Sequence, residues 1–167
     1  EPSVRNIDGK YVPYDNDIVA ESNVGIMIAP LSSDWSHSLL DAEYNSRTKL
    51  ALEGWSSICN NLYIWTYSSV FDQEFIWCNY LDYLRESYQI FKKLGAVYIF
   101  DEGRHSKGVN FEKMSAYLRA NMMWDTSSDV NSLIEDFCRN YYRQASDYIL
   151  EYIDVIRMRY RILITSI

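Results

Sequence analysis

Residues 95–103 read Gly95-Ala96-Val97-Tyr98-Ile99-Phe100-Asp101-Glu102-Gly103. Gly95 is a helix stop, Ala96–Phe100 is a short apolar and aromatic run, and two acids precede the next glycine. A strand that follows a helix and ends in carboxylates places polar chemistry at its C-terminal end. The same signals recur upstream. A helix is expected over about Tyr80–Leu94, a loop over about 68–79, and a strand at Leu62-Tyr63-Ile64-Trp65-Thr66-Tyr67, which is aromatic and β-branched. Before it, Leu50, Leu52, Trp55 and Ile58 recur at helical spacing in about Ser46–Cys59, and Asn60-Asn61 ends the helix. Earlier still, Asn23 to Pro30 is a short apolar run between breakers, a buried strand. These strands begin roughly 35 residues apart with a helix in each gap, the spacing of parallel strands joined by right-handed crossovers. Three such strands do not close a barrel, which needs eight.

The rest of the chain, about 110–160, reads as helical: Phe111–Met123, Ser128–Tyr142 opened by a cap near Asp129, and about Ala145–Arg159. Arg157, Arg159 and Arg161 alternate with apolar residues, as on a solvated helix face near a frayed end. Residues 1–20 are polar, carry Pro2, Gly9 and Pro13, and read as loop or linker. Residues 21–167 then form one α/β domain, with strands and helices over 21–109 and a helical part over 110–167.

The chain of 167 residues is 48% hydrophobic and 16% aromatic, with 15 Tyr and 5 Trp, so it has the means to build a core. Tyr and Trp also suit sugar-binding clefts, because each has a flat apolar face and a polar edge. The net charge of −7 repels phosphate backbones and argues against nucleic acid as a partner. Cys59, Cys78 and Cys138 lack metal-ligand spacing, so neither a metal nor a cofactor is expected. No apolar stretch is long enough to span a membrane. The chain begins at Glu1 with no apolar leader and reads as a portion of a longer protein, so that any export signal would lie upstream.

Ligands of parallel α/β folds meet the C-terminal strand ends. The first strand leads to Asp34, His37 and Asp41. The second supplies Trp65, Thr66 and Tyr67, and the third Asp101 and Glu102, followed by Arg104 and His105. Glycosidic cleavage needs two carboxyl groups, one donating a proton and one acting as base or nucleophile. Asp101 and Glu102 are the catalytic candidates. His37, Asp41, Trp65 and Tyr67 are candidates for binding substrate. Adjacent strand residues point to opposite faces, so Asp101 and Glu102 share a cleft only if the strand ends before them; otherwise the second carboxylate is Asp34, Asp41 or a residue outside this chain. Gly103–Gly108 is Gly-rich but lacks the pattern of a phosphate-binding loop.

Several of these pieces carry a resemblance. Pro13–Asn16, His37 with Leu40-Asp41, Gly54-Trp55-Ser56, Leu62–Trp65 with Tyr67, and Gly95–Gly103 match, in order and spacing, a bacterial domain-of-unknown-function family. So do Ala116-Tyr117-Leu118, Trp124-Asp125, Asp129-Val130, Leu133-Ile134, Asp136-Phe137 and Tyr141-Tyr142, and the similarity spans about residues 12–155. That family occurs in large, often exported proteins of glycoside-hydrolase type, commonly behind an α-glucuronidase-like domain. The resemblance implies the C-terminal portion of a (β/α)-barrel-like fold. It also implies a secreted, carbohydrate-active protein partnered by its own upstream domains. Two positions depart from the family. Thr66 stands where the family usually has Asp, and Asp101 where it has Glu. An Asp carboxylate lies about 1 Å further back than a Glu, enough to cost on the order of a hundredfold in rate.

Two other functions compete with hydrolysis: a non-catalytic carbohydrate-binding module and a structural portion of a larger barrel. An open parallel sheet also leaves an edge and an apolar face, so a homodimer is a further expectation.

Overall fold

A computed structural model describes residues 3–15, 17–67, 80–103 and 111–164. The described residues form a mixed α/β structure with a three-stranded parallel sheet and five α-helices. The sheet strands are β3 (Gly25–Ile28), β4 (Asn61–Tyr67) and β5 (Ala96–Glu102), in that spatial order, and both pairings are parallel. Helix α1 (Ser46–Ile58) connects the first two strands, and α2 (Leu84–Lys93) precedes β5.

Central strand β4 shows why the sheet has two unlike faces. Leu62, Ile64 and Thr66 are buried, whereas Tyr63, Trp65 and Tyr67 are only partly covered. The buried face packs against helices through Tyr88 and Phe91 of α2, and through Met114, Leu118 and Met122 of α3 (Glu112–Trp124). Val97 is skipped in the register, since Leu62 pairs with Ala96 and Tyr63 with Tyr98. This bulge sets the parity that leaves Tyr98 and Phe100 on the open face.

The expected loop or linker over residues 1–20 contains an antiparallel hairpin, β1 (Val4–Ile7) and β2 (Lys10–Pro13). Its turn is Asp8-Gly9, with φ of 53° and 83°, the left-handed pair that two-residue hairpin turns need. The hairpin seats on α1. Tyr11 donates to Glu53 at 2.5 Å, and Val4 is buried against Gly54. A Cβ on Gly54 would stand 2.5 Å from Val4 Cγ2. Gly54→Val is therefore expected to cost about 1–3 kcal/mol through overpacking, measured by urea unfolding. A variant as stable as the parent would show that the hairpin does not rest on α1.

The C-terminal helices are α3, α4 (Val130–Tyr141) and α5 (Ser146–Ile164), with a short 3-10 turn over Arg143–Ala145. Asp129 caps α4 as expected, accepting from the Ser132 backbone N–H at 2.8 Å. Of the arginines of α5, Arg159 and Arg161 are exposed as read from sequence, whereas Arg157 is largely covered. Arg157 and Arg161 both grip Asp82, at 2.6 and 2.7 Å, and fasten α5 to the segment before α2. Helix α2 itself begins at Leu84 rather than near Tyr80, because residues 81–83 form a turn.

Candidate functional site

The strand carrying the acid pair does not stop at Phe100. β5 continues through Asp101 and Glu102, which pair with Thr66 and Tyr67 of β4, so the two carboxylates leave the sheet on opposite faces.

Glu102 lies on the open face with the aromatic residues. The Trp65 indole N–H donates to Glu102 Oε2 at 2.8 Å. Trp65 and Tyr67, two residues apart, stack with an interplanar angle of 18° and centroids 6.4 Å apart. Phe100 meets Trp65 edge-on at 5.1 Å, and Tyr98 meets Tyr63 edge-on at 5.7 Å. Burial, and secondly the Glu102 charge, pushes the Tyr67 phenol up. Gly25 belongs to this surface too, because the Tyr63 ring lies where its Cβ would be. The result is a half-exposed aromatic shelf with one carboxylate at its C-terminal rim.

Asp101 has a different setting. It points toward the helices, where Arg119 Nη1 donates to Asp101 Oδ2 at 2.6 Å and the Tyr88 hydroxyl donates to the same oxygen at 3.1 Å. Burial works against the Arg119 charge, but Asp101, Tyr80 and Tyr88 outweigh it and hold the guanidinium ionised. Burial pushes the Tyr88 phenol well above its ordinary range, so Tyr88 remains a donor. Asp101 is thus a partly buried ion-pair partner, separated from Glu102 by the sheet.

The loop after β3 builds a third cluster. His37 Nδ1 lies 2.9 Å from Asp34 Oδ2, and the His37 ring stacks on Tyr44 at 3.6 Å with 7° between planes. Asp34 also accepts from the Ser36 backbone N–H and hydroxyl. Buried Asn45 ties the loop down by donating to the Asp34 and Ser38 carbonyls and accepting from the Asp34 N–H. Asp41 Oδ1 accepts from the Glu43 and Tyr44 backbone N–H groups, so its carboxylate closes a turn. Tyr44 also lines a cleft of about 590 Å3 between β3 and α1, together with Met27, Leu31, Arg47 and Trp55.

Burial alone would raise the Asp34 carboxyl. The Ser36 and His37 contacts outweigh it and hold the group below the usual carboxylate range. A carboxyl lower in the folded than in the unfolded chain stabilises the fold above its unfolded value, and that contribution fades as pH falls through the folded value. Asp34→Asn is therefore expected to lower Tm at pH 7, with the gap to the parent closing below about pH 4. A gap independent of pH would rule this out.

The structure brings Trp65, Tyr67 and Glu102 together, and His37 with Asp34 and Tyr44. It sets Asp101 apart from Glu102. Arg104 and His105 lie outside the described residues. Sequence reasoning missed Arg119, Tyr88, Thr66 as a buried side chain, and Asn45. The available signal for Arg119 was its position three residues before Met122 on a helix whose Met114, Leu118 and Met122 are all buried.

A family profile described as a domain of unknown function, DUF4838, matches residues 13–154. The chain belongs to this family. The DUF4838 match runs from the end of the hairpin into α5, and so takes in the whole parallel sheet, α1 to α4 and both carboxylates of β5. No curated protein and no solved structure matches the chain. Among the described residues, no helix is long and apolar enough to cross a membrane, and no group of three or more His, Cys, Asp or Glu could hold a metal ion.

Proposed function

We propose that this chain is the C-terminal portion of a (β/α)-barrel-like, glycoside-hydrolase-type protein acting on a polysaccharide or glycan. The observation that carries the proposal is the shelf on which Trp65 and Tyr67 lie nearly parallel beside Glu102. Parallel aromatic rings offer a sugar two apolar faces, and a carboxylate at the strand end stands where barrel enzymes hold catalytic groups. Glu102 is the proposed acid or nucleophile. Its partner carboxylate belongs to a part of the protein outside this chain, since Asp101 faces the helices. His37, steadied by Asp34 and Tyr44, is proposed to orient sugar hydroxyls. Helices on one sheet face and a half-exposed aromatic face on the other support the barrel assignment: upstream strands of the same protein, or a second copy, would cover Met27, Tyr98 and Phe100, which are 41–51% exposed. An exported location is proposed with the same function.

A second reading is a binding module without turnover. It is favoured by the bond that commits one Glu102 oxygen to the Trp65 indole. A glycan array and calorimetry on the parent and Trp65→Ala test both. We expect saturable binding to at least one polysaccharide, weakened about tenfold or more in the variant. Equal binding by the variant would remove the shelf from the argument.

A further inference from the structure

Among the described residues, only three buried side-chain polar atoms lack a hydrogen-bond partner: Thr66 Oγ1, Arg119 Nε and Arg119 Nη2. All three belong to residues that meet at Asp101. Thr66 pairs with Asp101 across the sheet, 1% exposed and on the same helix-facing side, and Arg119 binds Asp101 through Nη1. Buried polar atoms are nearly always satisfied, so three orphans on two residues that share Asp101 as neighbour leave donor capacity open to a bound group.

The two idle nitrogens of Arg119 are not an arbitrary pair. Nε–H and Nη2–H form the side-on edge of the guanidinium, with two parallel donors spaced for the two oxygens of one carboxylate. The orientation of that edge is fixed. Nη1 is held by Asp101 at 2.6 Å, the Tyr80 ring lies over the guanidinium carbon at 4.5 Å, and the side chain is only 5% exposed. The Thr66 hydroxyl adds a third donor that can turn toward an anion.

We propose that the Nε–Nη2 edge of Arg119, with Thr66 Oγ1, is a receptor for one carboxylate group, held between the sheet and α3. It lies on the opposite side of the sheet from the aromatic shelf and stands independently of the glycoside reading. One guanidinium then serves two carboxylates, Asp101 at Nη1 and the ligand at the side-on edge. The like charge of Asp101 keeps the affinity low, on the order of millimolar. A free short-chain acid and the carboxyl of an acidic sugar share this chemistry.

The test is a titration at constant ionic strength with sodium formate, sodium acetate and a sodium hexuronate, against sodium chloride. Tm and the 1H–15N signal of Arg119 Nε–H are followed together. Saturable shifts with formate or acetate alone identify a small-acid site, and shifts with the hexuronate as well identify a sugar-acid site. Either supports the proposal if chloride gives none. Thr66→Val, which keeps shape and removes the hydroxyl, should weaken the response about tenfold, and Arg119→Lys, which keeps the charge and removes the fork, should abolish it. If Arg119→Lys does not fold, Thr66→Val decides alone. Equal responses to chloride and carboxylates, or an unchanged response in Thr66→Val, overturn the proposal.

Discussion

Arg119→Met is expected to lower the free energy of unfolding by about 3–5 kcal/mol, the cost of leaving one member of a buried ion pair without its partner. The Asp101 side chain is 11% exposed, and it would retain only the Tyr88 hydroxyl, which donates a weaker bond at 3.1 Å. The methionine fills much of the space, so the loss reports stranded charge rather than a cavity. The double variant Arg119→Met with Asp101→Leu separates these terms. Removing both charges relieves the desolvation cost, so the double variant should recover most of the loss, and a double-mutant cycle by urea unfolding should return a coupling of a few kcal/mol. Additive single and double effects would mean that the pair is not coupled and that Asp101 is solvated in solution.

That pair also marks the boundary of what the sequence disclosed. The aromatic and β-branched run Leu62–Tyr67 announced a strand, and β4 is that strand, though only the fold shows which of its faces is buried. Gly95 announced the helix stop before β5. The alternation of Asp101 and Glu102 followed from strand geometry once the strand was known to continue, and only register with Thr66 and Tyr67 could show that it did. The hairpin at the N-terminus was missed because Val4–Ile7 and Lys10–Pro13 are short and polar, although Asp8-Gly9 is a strong turn signal. Arg119 and Arg157 were illegible for a different reason. Their partners lie 18 and 75 residues away, and a charge on a helix reveals its partner only after the helix is docked. The family profile brings the whole sheet together but is silent on chemistry, so Glu102, Trp65 and Tyr67 rest on geometry.

The second large effect separates the two acids of β5. If the shelf is a hydrolytic site, Glu102→Gln should lower turnover of a cleaved glycan in the full-length protein by roughly 10²–10⁴, the range for losing a general acid or base. Stability should change little, because the glutamine carbonyl can still accept from the Trp65 indole, whose bond is 2.8 Å in the parent. Asp101→Asn should do the reverse. It weakens the Arg119 contact and lowers Tm, yet leaves turnover per folded molecule close to the parent value, because its side chain points at α2 and α3. The comparison needs both readouts, since lost folding alone would mimic lost catalysis. Activity normalised to the folded fraction at 15 °C, together with glycan affinity, supplies them. Full turnover in Glu102→Gln with unchanged binding would remove Glu102 from the chemistry and leave the shelf as a binding surface. Loss of turnover in Asp101→Asn at full folding would move the reacting group to the helix side of the sheet.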